Sequence, residues 1–258
     1  MSGRRLWALL LMLAFATSFW GTLASPQPLP RLTRQQVEAA LRLGKNLALR
    51  DLGGLDLTGL NLRGANLREA NLTDAFEIGV VLDEANLRRA LLIRANLRGA
   101  RLAGADLGEA NLTDAHLERV TAPRSTWTDA TLLVANLDGA NLAQVDMQGT
   151  RLEKAWLRGA TLTDGLFVRA SFLGARLNDA QLDGANLTLA SFVLADLTGA
   201  SMRFARLDGA DFSGADIKST VFTYANTSLA LNLSLARHVA DAIWAPPPGT
   251  AATSPDER

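Results

Sequence analysis

Residues 61–75 read NLRGANLREANLTDA, and the same five-residue pattern runs through most of the chain. Leucine returns at every fifth position, as in Leu62 and Leu67, and this phase is kept from about Leu47 to Phe222. The residue two positions before each leucine is mostly alanine, and the residue between them is often asparagine or aspartate. Most of the chain is therefore one short repeat copied in tandem.

A period of five fits neither an ordinary helix nor an ordinary strand. On an α-helix five residues advance about 500°, so the leucines would spiral around the surface and form no stripe. In a flat strand the side chains alternate between faces, so an odd spacing would send successive leucines to opposite sides. If the backbone instead bends by a fixed angle in every repeat, all leucines can point toward one axis with the small alanines beside them. The pattern predicts a solenoid with a narrow alanine and leucine core.

The tandem motif A(N/D)LXX resembles the pentapeptide-repeat family. The resemblance implies an all-β solenoid, namely a right-handed quadrilateral β-helix with four repeats, or twenty residues, in each coil. Residues 45–226 would then form about nine coils, with short α-helical caps expected at both ends. Charges twenty residues apart agree with this coil length, since Glu69, Arg89 and Glu109 alternate in sign as stacked neighbours should. The resemblance implies no enzymatic activity.

The first 24 residues have the features of an export signal. Arg4 and Arg5 form a positive start, residues 6–20 form an apolar run, and small residues follow up to Ala24. We expect residues 1–24 to be a signal peptide and the protein to be exported, either periplasmic or secreted. The alternatives are an uncleaved membrane anchor, although about fifteen apolar residues are short for a span, and a buried first helix of the fold.

Short segments flank the repeats on both sides. Residues 25–32 are proline-rich and predict an extended linker. Thr33 followed by Gln36 is a capping box, so residues 33–44 predict a helix that covers the open end of the first coil. The spacing of Leu231, Leu235, Val239 and Ile243 predicts a second helix over residues 227–244, either a cap or a dimer contact. Residues 245–258 are predicted to be a disordered tail.

Two repeats depart from the pattern. Glu77 occupies a leucine position, and because a buried unpaired carboxylate costs several kcal/mol, we expect a local bulge or the replacement of Glu77 in the core by Phe76 or Ile78. The other departure is at Ala122 and Trp127, which occupy successive leucine positions and would together conserve the core volume. Pro123 lacks an amide donor, so this coil is expected to lose a ladder bond or to carry a small loop.

Composition and motifs give no indication of an active site. The chain has 26 basic and 26 acidic residues, no cysteine and only two histidines. His116 and His238 lie far apart without ligand partners at a recognisable spacing, so we predict no catalytic, metal or cofactor site and no enzyme. His116 falls on an outward position and is expected at the surface. The asparagines and aspartates before the leucines are expected to bond to the backbone at the corners.

The outward positions contain one unusual group. Apolar residues gather on one face and on the adjoining face near its C-terminal half, whereas the other outward positions are mostly polar or glycine. We predict a contact stripe, because an exposed apolar patch usually marks an interaction. Its residues are Leu91, Ile93, Leu133, Val134, Leu166, Val168, Leu173, Leu189, Val193 and Leu194. A partner or second subunit could cover it, a terminal helix of this chain could cover it, or no stripe exists because the coil length is wrong.

Two classes of function remain. The first is an exported scaffold that binds a protein or envelope partner, with membrane contact only if the N-terminal segment stays uncleaved. The second is a DNA mimic that binds topoisomerases, as the resemblance to quinolone-resistance members implies. About nine coils would form a rod of about 43 Å, and duplex DNA of that length carries about 25 negative charges. Residues 45–226 contain 22 acidic and 19 basic residues, a net charge of −3. This difference favours the scaffold, and no nucleic acid is expected as a partner.

Overall fold

A computed structural model describes residues 30–244. The predicted signal peptide (1–24), most of the predicted linker (25–32) and the predicted tail (245–258) lie outside the described residues. Within the described range, no helix has both the length and the apolar character that a membrane span requires.

The backbone winds in circuits of twenty residues. Parallel bridges join each outward residue before a leucine to its equivalent twenty positions later, from Arg31 and Asp51 to Asp211 and Leu231. Each circuit makes four such bridges, so it has four sides, and each side pairs with the same side of the next circuit. Throughout residues 30–244 the pairing consists of these single-residue bridges, with no longer strand. The predicted coil of twenty residues is confirmed.

The leucines point toward the axis of the coil. Leu52, Leu57, Leu62 and Leu67 are each 0% exposed, and the alanines of the repeats are buried beside them. In the C-terminal half, phenylalanines replace leucine along one side. The rings of Phe172, Phe192 and Phe212 stack with centroids 5.0 and 5.1 Å apart. The predicted narrow core is therefore confirmed.

A β-turn follows each leucine and bends the chain into the next side. In one such turn the amide of Ala70 donates to the carbonyl of Leu67 at 3.0 Å. The second residue between leucine and alanine has a positive φ in every repeat from Leu49 to Tyr224. A positive φ at this position alone is the signature of a type II turn, which glycine accommodates best.

Where the residue before an inward position is asparagine or aspartate, its side chain accepts from an amide that the coil ladder does not reach. In the repeat at 65–69, the amides of Asn66, Leu67 and Glu69 donate to carbonyls of neighbouring coils at 2.7 to 2.9 Å. The remaining amide, of Arg68, donates to Oδ1 of Asn66 at 3.2 Å. The same bond recurs where Asp51, Asn111 and Asp211 accept from the second residue after them. The predicted backbone bonding by these polar residues is confirmed.

Helix α1 spans Arg34–Leu43 and precedes the first full coil. Thr33 is its N-cap, with the Gln36 amide donating to Thr33 Oγ1 at 3.3 Å and the Thr33 amide donating to Gln36 Oε1 at 2.8 Å. Val37 is completely buried and belongs to the same apolar core as the leucines of the coils. Nη1 of Arg34 donates to the carbonyl of Asp56 at 2.7 Å, which ties the helix to the solenoid.

The α-helix predicted over residues 227–244 is wrong. The chain instead makes one more, looser circuit that contains two 3₁₀ turns, Leu233–Leu235 and Val239–Asp241. Three residues spaced by six bridge the coil above, and their carbonyls accept from Phe212, Ile217 and Phe222: these are Leu231, Arg237 and Ile243. An α-helix would have left these three amide donors without backbone acceptors, which is costly at the end of a ladder.

The coil around Pro123 keeps its ladder bonds and inserts no loop, so both expectations for it are wrong. Pro123 lies at the first turn position, where the coil ladder uses no amide and where a type II turn favours proline. The ladder bonds on either side are intact, at 2.8 Å from the Ala122 amide and 3.0 Å from the Arg124 amide. Trp127 is completely buried, and its indole Nε1 donates to Ser125 Oγ at 2.6 Å.

Glu77 is also in register, so the predicted bulge or replacement is wrong. Its side chain is 0% exposed, while Phe76 and Ile78 are 52% and 45% exposed. The Glu77 amide keeps its ladder bond to Asn96 at 2.8 Å. Because side chains alternate between the two faces, bringing Phe76 or Ile78 inward would require this side to slip against both neighbouring coils.

Candidate interaction face

The ten residues of the predicted stripe all lie at outward positions. We call them the apolar face. The six that are most exposed range from 39% to 65% exposed: Leu91, Val134, Leu166, Leu173, Leu189 and Leu194. The other four are half-buried. Val168 and Leu189 belong to the corner that precedes the side bearing Leu91, and Leu166 lies on the side before that corner. The remaining turn residues belong to the corner that follows the side bearing Leu91.

The apolar face is banded rather than continuous. The twenty-residue register puts Ile93, Leu133 and Leu173 in one column, with Thr113 and Glu153 between them. Apolar rows therefore alternate with polar rows, and successive apolar rows lie two coils, about 10 Å, apart. Leu173 and Val193 are the first apolar members of this column that lie in directly adjacent coils.

Three residues of the apolar face occupy a backbone conformation that disfavours them. Val134, Leu189 and Leu194 have φ values of 59°, 59° and 58°. This conformation costs an L-residue about 1–2 kcal/mol, and a β-branched residue such as Val134 is rarely found in it. The Cδ2 atoms of Leu189 and Leu194 lie across the next coil, 2.7 and 3.0 Å from where a Cβ on Gly209 and Gly214 would be.

Charged side chains surround the apolar face and are largely paired between coils. Arg94 donates to both oxygens of Asp74 at 2.8 Å, and this hydrogen bonding lowers the pKa of Asp74. In the charge column predicted from the sequence, Arg89 Nε lies 2.7 Å from a Glu109 oxygen and Arg89 Nη1 lies 3.9 Å from Glu69. The predicted alternation of charge is confirmed.

The described residues show no arrangement typical of catalysis. A shallow surface depression is lined by Arg98, Gly99, Glu118, Arg119 and Asp138. Glu118 accepts there from Arg98 at 2.8 Å and from Asn136 at 3.0 Å, so its charge is already compensated. No group of histidine, aspartate and glutamate in residues 30–244 could hold a metal ion. His116 is at the surface, as predicted.

Glu77 is the one carboxylate of the described residues that is buried without a partner on either oxygen. Burial raises its pKa to about 8. Its neighbours at inward positions are aliphatic, including Leu57 and Leu97 in the coils on either side. A neutral carboxyl group in a dry core has no access to a substrate, so we assign it no catalytic role.

Sequence reasoning missed a second exposed apolar group in the last circuit. Leu229, Leu231 and Leu235 are 63%, 51% and 67% exposed. Leu231 bridges Asp211 and so continues the column of outward residues that contains Leu91. The helical spacing of Leu231, Leu235, Val239 and Ile243 predicts a helix, whereas the interval of six between the bridged residues Leu231, Arg237 and Ile243 is the signal of a loosened coil.

Comparisons with known proteins agree with this architecture. The model of the pentapeptide repeats family matches in 8 copies, over residues 51–76, 81–119, 128–164, 157–193, 175–214 and 195–226. A search of curated protein sequences gives no significant match.

Several solved structures are similar. HetL, a pentapeptide repeat protein involved in heterocyst differentiation regulation from the cyanobacterium Nostoc sp. strain PCC 7120, is 29% identical, with 83% of this chain and 95% of HetL covered and a TM-score of 0.46. Trypsin-treated QnrB1, a plasmid-mediated fluoroquinolone resistance protein, is 15% identical, with 74% and 89% covered and a TM-score of 0.55. A pentapeptide repeat protein of the Arabidopsis thaliana thylakoid lumen is 30% identical, with 33% and 63% covered and a TM-score of 0.28.

These likenesses concern the fold. QnrB1 shares the architecture at low sequence identity, which is expected where only the inward positions are constrained. The family model covers well over half of the residues, and every matched segment lies within the twenty-residue register. The chain therefore belongs to the pentapeptide-repeat family.

Proposed function

We propose that this protein is a non-enzymatic, exported scaffold that binds a protein or cell-envelope partner through the apolar face. The β-helix supplies a stiff rod, because each coil is hydrogen-bonded to the coils on both sides. Outward side chains can then vary without disturbing the core, so binding specificity would reside in them.

The observation that carries the proposal is that exposed apolar side chains occupy positive-φ turn positions at Val134, Leu189 and Leu194, where most other non-glycine residues are charged or polar. Each residue is at least 48% exposed and has a φ that glycine would adopt at less cost. Core packing does not explain an apolar side chain at such a position. Strain of this kind is commonly retained where a side chain has a function, and a contact with a partner would supply one.

The pairing and burial of the carboxylates support the hypothesis of a non-enzymatic scaffold. Asp74 and Glu109, two carboxylates beside the apolar face, are paired with arginines, and the buried Glu77 is unreachable from the surface. Export is supported by the sequence of residues 1–24, which lie outside the described residues. Fractionation of cells that produce the tagged full-length chain tests this part, and recovery only in the cytoplasm would contradict it.

The binding proposal is tested by replacing Val134, Leu189 and Leu194 together with glycine. We expect an unchanged or higher free energy of unfolding, because glycine relieves the positive-φ strain. We also expect loss of the partner recovered by crosslinking from intact cells. The variant would therefore lose binding without losing the fold.

The matched control is Gln144→Gly. Gln144 has a φ of 58° at a corner away from the apolar face, so this change relieves the same strain but removes no apolar contact. It should keep the partner. If the triple variant recovered the same partner in the same yield as the natural protein, the apolar face would not be the binding surface.

A further inference from the structure

We infer that the occupant of the apolar face, between the rows of Ile93 and Leu173, is a second copy of this chain packed antiparallel about a two-fold axis through the row of Leu133. The inference rests on the proposed use of this face for binding, and it names the partner. Three features of the rows lead to it: their spacing, their size and their charge.

The spacing of the apolar rows matches that of an identical rod. Rows at Ile93, Leu133 and Leu173 repeat every two coils, about 10 Å apart. A second copy has the same rise per coil, so all its rows can face rows of the first copy without drifting out of step. In the antiparallel pairing, Leu133 meets its own equivalent and Ile93 meets Leu173 of the other copy, so apolar rows face apolar rows.

The sizes of the outer turn residues are complementary in the same arrangement. Arg94 would face Gly174 of the other copy, so the largest side chain of its column meets a residue without one. Val134 would face its own equivalent at the axis. Such self-complementarity is required of a two-fold interface, since each pairing away from the axis occurs twice.

The polar rows decide the direction of packing. Asp114 and Lys154 lie in the two rows that flank Leu133, and both are exposed. Lys154 belongs to no ion pair among the described residues, and Asp114 interacts only at longer range with Arg94, which is held by Asp74. Antiparallel packing puts Asp114 of each copy opposite Lys154 of the other. Parallel packing would instead put the Asp114 rows of the two copies together, which opposes association.

The first experiment uses the absence of cysteine from the chain. Leu133→Cys should form a disulfide-linked dimer under mild oxidation, because this position lies on the proposed axis. Ile93→Cys alone and Leu173→Cys alone should not, since each lies two coils, about 10 Å, from the axis along the rod and so about 19 Å from its own equivalent. Mixing the two variants should give the linked heterodimer.

The second experiment reverses the charges. Asp114→Lys and Lys154→Asp should each weaken dimerisation by about tenfold in sedimentation equilibrium, because every dimer contains two such pairs. The double variant carrying both changes should recover the natural affinity. Circular dichroism of each variant establishes that the β-helix is retained.

The outcomes separate this inference from the proposed function. A natural chain that stays monomeric at submillimolar concentration, or efficient self-crosslinking of Ile93→Cys, would overturn the antiparallel dimer. If the monomeric chain still lost its cellular partner on glycine substitution at Val134, Leu189 and Leu194, the scaffold proposal would stand with a different occupant.

Discussion

Single inward residues govern stability in this molecule, because each core side chain touches only its own coil and the coils next to it. Volume is balanced locally as a result. Gly165 replaces alanine where Phe167 replaces leucine, and a Cβ on Gly165 would lie 2.5 Å from Cε2 of Phe167. The ionisation of an inward residue likewise depends on these few neighbours, and neither carboxylate oxygen of Glu77 has a hydrogen-bond partner among them.

Glu77 predicts an unusual dependence of stability on pH. Its pKa is about 8 in the folded protein, against 4.5 for an ordinary glutamate, so the folded state holds the proton more tightly. Below pH 4.5 the group is neutral in both states and costs no ionisation energy. Between pH 4.5 and 8 the unfolded state alone ionises, and stability should fall by about 5 kcal/mol in total. Chemical denaturation at a series of pH values measures this fall.

Two substitutions serve as controls for that prediction. Glu77→Gln keeps the shape but cannot ionise, so the fall above pH 4.5 should disappear. Glu77→Leu restores the usual core residue and should be the most stable of the three proteins at pH 9. The pKa of Asp74 is lowered by its hydrogen bonds from Arg94, so its contribution is lost only as pH falls and lies in a separate window. Equal slopes for all three proteins would show that Glu77 is not buried.

Gly165→Ala is predicted to destabilise the protein by about 1–3 kcal/mol, because the new methyl group overlaps a buried ring. The same change combined with Phe167→Leu recreates the ordinary alanine and leucine pair and should recover much of the loss. A double-mutant cycle in urea measures the coupling between the two sites. Additive effects would contradict the contact between Gly165 and the Phe167 ring.

At the scale of elements, the two ends of the solenoid are closed by different means. Helix α1 places Val37 on the core at one end. At the other end the looser circuit is held by Asp216, which lies 2.8 Å from His238 Nδ1 and 3.2 Å from Arg237 Nη2. Terminal elements such as these open more easily than the middle of a repeat array.

Asp216→Ala is predicted to open the last circuit without unfolding the rest. The amides of Ile217 and Phe222, which donate to carbonyls of that circuit, should exchange with solvent about tenfold faster for a loss of about 1.4 kcal/mol. Hydrogen exchange followed by NMR measures this directly. Asp146→Ala is the control. Asp146 and Asp216 each accept from the second following amide at 3.2 Å, but Asp146 lies between two regular coils.

At the scale of the whole molecule, the surface charge is balanced and interleaved. Acidic side chains alternate with arginines along the corners, as at Glu69, Arg89 and Glu109. Duplex DNA presents a continuous negative charge instead. Sharing an architecture with QnrB1 therefore does not give this rod the electrostatic surface of a nucleic acid.

The purified chain is accordingly predicted not to inhibit DNA gyrase. A supercoiling assay should show no inhibition up to micromolar concentrations of protein. The natural protein and the apolar face variants should give the same result. Inhibition at nanomolar concentration would contradict the balance of charge as the deciding property and would favour the DNA-mimic alternative.

The amino-acid sequence by itself determined the coil. A leucine at every fifth position can be buried only if the chain bends once per repeat, so the solenoid and its core followed from periodicity. The twenty-residue circuit was implied by the resemblance to the pentapeptide-repeat family, and the alternating charges agreed with it. The sequence also determined which residues face outward, and hence the members of the apolar face.

Only the tertiary structure decided the exceptions. Glu77 stays inward and Pro123 causes no loop because backbone hydrogen bonds to the coils on both sides hold each coil in register. This constraint between coils cannot be seen in the sequence of a single repeat. The last circuit does not form the α-helix that its apolar spacing predicts, because its carbonyls accept from the amides of Phe212, Ile217 and Phe222. Strain at Val134 and Leu194 became visible only with the backbone, since φ is set by the turn and not by the residue that occupies it.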